Sequence, residues 1–166
     1  MAVMGGGILV THDIRVPEPE AELHEHKRSA FLAHFREIAA YAEPNSVRFA
    51  LENTAQGYSR EPDRLVDLVQ NLKTPNVGIV IDTGHRNMVG DPVAALRTTG
   101  RHLITLHIHD NHGQRDEHLL PGFGEISWPD VLNALREIEY PGVFMYELGR
   151  AEDLEAVREN FDASIG

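Results

Sequence analysis

The chain has 166 residues, no cysteine and a formal net charge of -11. That length supports one core of ordinary size, and the missing thiols exclude disulfides and thiolate-held metals. The acidic excess disfavours nucleic acid as a partner, no stretch approaches the roughly 18 apolar residues of a membrane span, and the opening residues lack a secretory pattern, so a cytoplasmic location is expected.

In chain order, the first β-rich run is GILVTH at 7–12. The helix that follows places Phe31, Phe35, Ile38, Ala39 and Ala42 on one apolar stripe. It carries His24, His26 and His34 among Glu22, Glu25, Lys27 and Arg28 as a solvated face. The second run is VRFALE at 47–52, where alternation puts Arg48 on the face of Glu52 and so in reach of an interior acid. A second helix follows with Leu65, Leu68, Val69 and Leu72 inward, then the run VGIVID at 77–82. Asp91 before Pro92 has the form of an N-cap followed by a first-turn proline.

The fourth run, LITLHIHD at 103–110, sets Thr105, His107 and His109 on one face and Leu106 and Ile108 on the other. His102 before it reads as a loop residue, and His112 after it as a loop residue or a minor substrate contact. Gly122 and Gly124 fall in a loop, and Ser127 with Asp130 has the spacing of a capping box. The helix so opened packs Trp128 against the sheet and turns Leu132, Leu135 and Ile138 inward. The fifth run is VFMYE at 143–147, and a last helix over 152–161 faces Leu154, Val157 and Phe161 inward. Five β-α repeats imply an α/β fold with a parallel sheet covered by helices.

Each run stops in a residue that binds protons or metals: His12, Glu52, Asp82, His107 with His109, and Glu147. Parallel α/β folds place their sites at these C-terminal strand ends. One such acid is ordinarily a helix cap or a solvated loop residue, whereas five in succession point to a shared site. Carboxylates gathered without a cation would repel one another, and a divalent metal removes that penalty. Mixed imidazole and carboxylate donors favour Zn, Mn, Fe or Co over Mg and Ca. The absence of thiolates argues for an open catalytic site rather than a closed structural one.

The stretches LENTAQG at 51–57, IDTGH at 81–85, LHIHDN at 106–111, RDEHLLPGFGEISW at 115–128 and YELG at 146–149 resemble the xylose-isomerase-like TIM barrel superfamily. That superfamily holds sugar and sugar-phosphate isomerases and epimerases and the endonuclease IV family of abasic-site nucleases. The resemblance implies a partial (β/α)8 barrel forming a single domain over 1–166, made of the last five β-α units and lacking the first three. It implies that Glu52, Asp82, His107 and Glu147 hold a divalent metal, with Mn, Zn or Co ahead of Mg. Glu52 and Glu147 would also be the catalytic acid and base. His12, His85, His109, Arg115, Asp116 and His118 then fall at positions for substrate or further metals, Arg115 being the candidate for phosphate or hydroxyl recognition.

The activity so implied is sugar or sugar-phosphate isomerisation or epimerisation, by proton transfer next to a carbonyl through an ene-diolate. A metal-assisted hydride shift is its variant. The alternatives are a zinc-dependent abasic-site nuclease, which the form ENTAQG favours and the acidic balance opposes, and an inactive metal-binding fragment. The expected partner is a small sugar or sugar phosphate. Unpaired sheet edges imply self-association into a homo-oligomer.

Overall fold

A computed structural model describes residues 7–12, 21–149 and 154–165, without the side chains of 21–25, 154, 161, 164 and 165. Four strands, β1 (Ile8–His12), β2 (Arg48–Glu52), β3 (Val77–Asp82) and β4 (Leu103–His107), form one sheet in the order of the sequence, with every pair parallel. The α-helices are α1 (Ala21–Ala42), α2 (Pro62–Leu72), α3 (Thr83–Val89), α4 (Pro92–Thr99), α5 (Trp128–Glu137) and α6 (Leu154–Ile165), and single 3-10 turns lie at Glu43–Asn45, Tyr58–Arg60 and Gly100–His102. This is the α/β architecture with parallel strands that the repeat pattern predicts.

The fifth β-rich run is much reduced. It joins the sheet through a parallel bridge of Tyr146 with Ile108, fixed by Ile108 N–H to Met145 O (2.8 Å) and Glu147 N–H to Ile108 O (3.0 Å). Val143 and Met145 are exposed, so only one edge of this segment is held among the described residues. The hydrogen bonds still bring Glu147 level with the end of β4.

The core lies between the sheet and the helices. Phe49 and Leu51 of β2, Ile79 and Ile81 of β3, and Leu103 and Leu106 of β4 pack with Leu65, Leu68 and Leu72 of α2 and Leu96 of α4. The opposite face carries Ala50, Glu52, Val80 and Asp82. A bulge in β4 interrupts simple alternation: Ile79 pairs with Leu103 but Val80 pairs with Thr105. Leu103 therefore enters the core, and Ile104 fills the space over Gly78, where a Cβ would lie 2.5 Å from its side chain.

Several local expectations change. In α1 the buried residues are Leu32, Phe35 and Ala39, whereas Ile38 is half exposed because it lies on the outer side of the turn. Arg28 is not simply solvated, since its Nε donates to Asp67 Oδ2 at 2.9 Å, while His26 and His34 are exposed. The side chains of His24, Leu154 and Phe161 lie outside the described residues, and Val157 is half-buried. His102 lies in a single helical turn, Gly100–His102. Asp91 caps α4 as expected, accepting from Val93 N–H at 2.8 Å. Ser127 stands at the N-cap of α5, but its hydroxyl donates to the Asp130 carboxylate (2.7 Å), so the capping box does not form.

Candidate metal centre

Glu52, Asp82 and His107 end adjacent strands, and parallel register carries them to one rim of the sheet. With Glu147 they each offer one ligand atom, all within 4.8 Å of one another. Donors at about 2.0–2.2 Å from a common ion stand roughly 3–4.4 Å apart, so small side-chain shifts would bring this group to the spacing of a divalent metal. His107 Nδ1 sits 3.3 Å from Glu52 Oε1 and 2.6 Å from Glu147 Oε2. Glu147 Oε2 is buried with no hydrogen-bond partner of proper geometry. Three converging carboxylates, an imidazole and a buried oxygen without a hydrogen bond make a donor set that suits a cation.

Histidines rim the centre. His12 Nε2 is 3.2 Å from Glu52 Oε2. His85 Nδ1 lies 3.4 Å from Glu52 Oε1, and its Nε2 lies 3.3 Å from Asp116 Oδ2. His118 Nε2 meets Asp116 Oδ2 at 3.2 Å, while its Nδ1 donates to Glu147 O at 2.7 Å. His109, Asp116 and His118 form a second group spaced for an ion.

The electrostatics follow from this crowding. Burial opposes ionisation of Glu52, but hydrogen bonds from His107 and His85 outweigh it and pull its pKa to about 2. Burial likewise opposes protonation of His85, yet Glu52, Asp82 and Asp116 push it up to about 9. His107 and His118 are raised too, each against its own burial: His107 by Glu52 and Glu147, His118 by the Glu147 carbonyl and Asp116. Without a metal, protons on these imidazoles balance the acids, and ion binding must displace them.

Asp82 has two tasks. It is the N-cap of α3, with Oδ1 accepting from His85 N–H at 2.6 Å, and it is a member of the centre. His109 is fully buried beneath it, with Nε2 donating to Asp82 at 2.9–3.1 Å and its ring stacked on His118 at 4.0 Å. Gly84 makes room for that ring, because a Cβ there would lie 1.9 Å from His109 Cε1.

Three sequence candidates do not join. Arg48 is exposed at the start of β2, and four residues at about 3.3 Å each hold it roughly 13 Å from the end that carries Glu52. Arg115 is exposed, and among the described residues no hydrogen bond or ion pair ties it to the centre. His112 is engaged away from the centre, 2.9 Å from Glu117 Oε2.

Sequence reasoning missed four buried polar residues that brace the centre and the loop beside it. Asn53 brackets Asp82, donating to its carbonyl (3.0 Å) and accepting its N–H (2.7 Å). Thr83 Oγ1 donates to His109 O at 2.7 Å. Asn111 Nδ2 donates to Gly84 O at 2.9 Å, and Asp110 gathers N–H groups from the loop that follows it. The available signal was position alone: Asn53 and Thr83 directly follow strand-end acids, and Asp110 and Asn111 directly follow His109.

The sequence profile of the xylose isomerase-like TIM barrels matches residues 1–164. An uncharacterized protein of Methanocaldococcus jannaschii is 32% identical over 158 residues, 92% of this chain and 54% of that protein. D-psicose 3-epimerase of Ruminiclostridium cellulolyticum is 34% identical over 116 residues, 68% of this chain and 38% of the epimerase. The crystal structure of a D-tagatose 3-epimerase-like protein matches with a TM-score of 0.87 at 28% identity, covering 99% of this chain and 64% of that one. The chain thus spans about half the length, or less, of these two curated relatives. With its parallel sheet, its rim of converging strand-end acids and histidine and a profile match over nearly its whole length, the chain belongs to the xylose isomerase-like TIM barrel family.

Proposed function

We propose that this chain carries the reaction centre of a metal-dependent sugar isomerase or epimerase. The observation that carries the reading is the convergence of Glu52, Asp82, His107 and Glu147 within 4.8 Å at the C-terminal rim of a parallel sheet. The 34% identity to a D-psicose 3-epimerase supports it. A divalent metal held by these four residues would supply Lewis-acid polarisation of a sugar carbonyl.

The chain's own residues would then move the proton. Glu52, ionised at neutral pH because its pKa lies near 2, and Glu147 are the acid/base pair. One removes a proton from the carbon next to the carbonyl, and the same or the other returns it. Return to the opposite face epimerises; return to the neighbouring carbon isomerises. His85, between Glu52 and Asp116, is placed to donate to a substrate oxygen. His118, Glu117, Leu120 and Phe123 line a cleft of ≈ 460 Å³, which His118 connects to the rim through Asp116 and the Glu147 carbonyl.

One observation favours a second reading. His109, Asp116 and His118 form a second ion-sized group, as a multi-metal abasic-site nuclease would need. The net charge of -11 opposes a polyanionic substrate.

The test incubates the metal-loaded chain in heavy water with a panel of ketoses, ketose phosphates and inososes, alongside DNA containing abasic sites. Deuterium uptake at one carbon supports the sugar reading and its position names the substrate class. Strand cleavage without exchange replaces that reading with the nuclease, and neither activity would leave a metal-binding chain without catalysis of its own.

A further inference from the structure

Asp110 is fully buried, yet it is no member of the metal centre. Its carboxylate accepts four N–H groups. Oδ1 receives those of Asn111 (2.9 Å) and Ile126 (3.2 Å), and Oδ2 receives Gly122 N–H (2.9 Å) and the indole Nε1–H of Trp128 (2.8 Å). Its backbone pairs in both directions with Leu119, at 2.8 and 3.0 Å. Every partner lies within 111–128, the connection that leaves the end of the β4 region and enters α5.

The loop closes tightly on this group. A Cβ at Gly124 would stand 2.3 Å from Asp110 Oδ1 and 2.4–2.6 Å from the Asn111 backbone, so only glycine passes there. Asn111 ties the near end, accepting from Gly113 N–H and Asn87 Nδ2 at 2.9 Å each. Between the two ties the loop presents Asp116 to His85 and sets His118 against Asp116.

We propose that Asp110 is a positioning residue: its carboxylate holds the 111–128 loop closed and so sets Asp116 and His118 against the substrate side of the metal centre. The inference deepens the sugar-isomerase reading and rests on it for its catalytic consequence. The chemistry is one of matched sign. A carboxylate offers acceptors only, which suits four donors, and buried charge is tolerated when so satisfied. An asparagine of the same shape turns an NH2 group toward two of those donors, leaving them unpaired.

The test compares Asp110→Asn and Trp128→Phe with the unaltered chain. Trp128, the single tryptophan, reports directly on the tie. In Asp110→Asn its emission should shift red and its quenching by acrylamide should rise. Amides of 111–127 should lose protection from hydrogen exchange while those of β2 and β3 keep theirs. Mn²⁺ should still bind at the four-residue centre, whose ligands all lie outside the loop. KM for the exchanging sugar should rise roughly tenfold, with a smaller change in kcat. Trp128→Phe removes one donor of four and should deprotect the loop in part; it decides the matter by hydrogen exchange if Asp110→Asn does not fold. Unchanged loop protection in both variants, or loss of protection throughout the sheet together with metal binding, overturns the proposal. If the unaltered chain exchanges no sugar, the functional reading fails separately, and the quenching and hydrogen exchange still decide the role of Asp110.

Discussion

Gly84→Ala tests how closely α3 is fitted over the centre. The new Cβ would stand 1.9 Å from His109 Cε1 and 2.3 Å from Nδ1, whereas carbon contacts settle at about 3.5–4.0 Å, so the ring must withdraw by roughly 2 Å. It has nowhere to go: His109 is fully buried, stacked on His118 and bonded to Asp82. Overpacking costs about 1–3 kcal/mol, and loss of the charge-assisted bond to Asp82 about 1.5–3 kcal/mol. Alanine recovers about 0.5–1 kcal/mol of helix propensity, which leaves a net loss of about 3 kcal/mol. With a urea m-value of about 2 kcal/mol/M, the unfolding midpoint should fall by roughly 1.5 M. Gly100→Ala is the control. Gly100 has open space around it but a φ of +47° with ψ of -127°, so alanine there should cost about 1–3 kcal/mol through backbone strain alone, without disturbing His109. In a double-mutant cycle, His109→Ala should relieve much of the Gly84→Ala penalty. A Gly84→Ala chain as stable as the original, or penalties that simply add, would refute the fit.

Other expectations are independent of that contact. Burial pushes the Tyr140 phenol up to about 12, against an ordinary value of 10.0. Its contribution to stability is therefore complete below pH 10 and lost as pH rises toward 12; alkaline unfolding should be less steep in Tyr140→Phe. In metal-free protein the His85 imidazole should titrate near pH 9 by NMR, and divalent metal should lower that midpoint by neutralising Glu52 and Asp82; a midpoint near 6.5 in the free protein would contradict the geometry. β1 pairs only with β2 among the described residues, and Leu9 is 40% exposed. Sedimentation should thus show self-association, and a monomer at high concentration would contradict it.

The legible part of the fold was its rim. Hydrophobic runs that stop abruptly at His12, Glu52, Asp82 and His107 are local features, and parallel register converts them into one site with no further information. The fifth run was legible as one that brings an acid to the rim but not as a bridge, because strand length depends on neighbours that 143–147 does not name. Alternation also failed at Leu103, where a bulge reverses the faces, and at Arg48, where facing the same way as Glu52 is not the same as standing near it. Asn53, Asp110 and Asn111 escaped for a related reason. A buried polar side chain is fixed by the backbone groups folding brings to it, and those lie up to 29 residues away for Asn53. Asp82 shows how the modest and the functional readings combine, since one carboxylate caps α3 and faces the centre.

The most direct measurement of the central claim is anomalous diffraction from crystals grown with Mn²⁺, recorded near the manganese edge. The account predicts a peak enclosed by Glu52 and Asp82 carboxylates, a His107 nitrogen and Glu147, with His85 beside it but outside that set. A metal seated away from these four residues, or no peak there at saturating Mn²⁺, would contradict it.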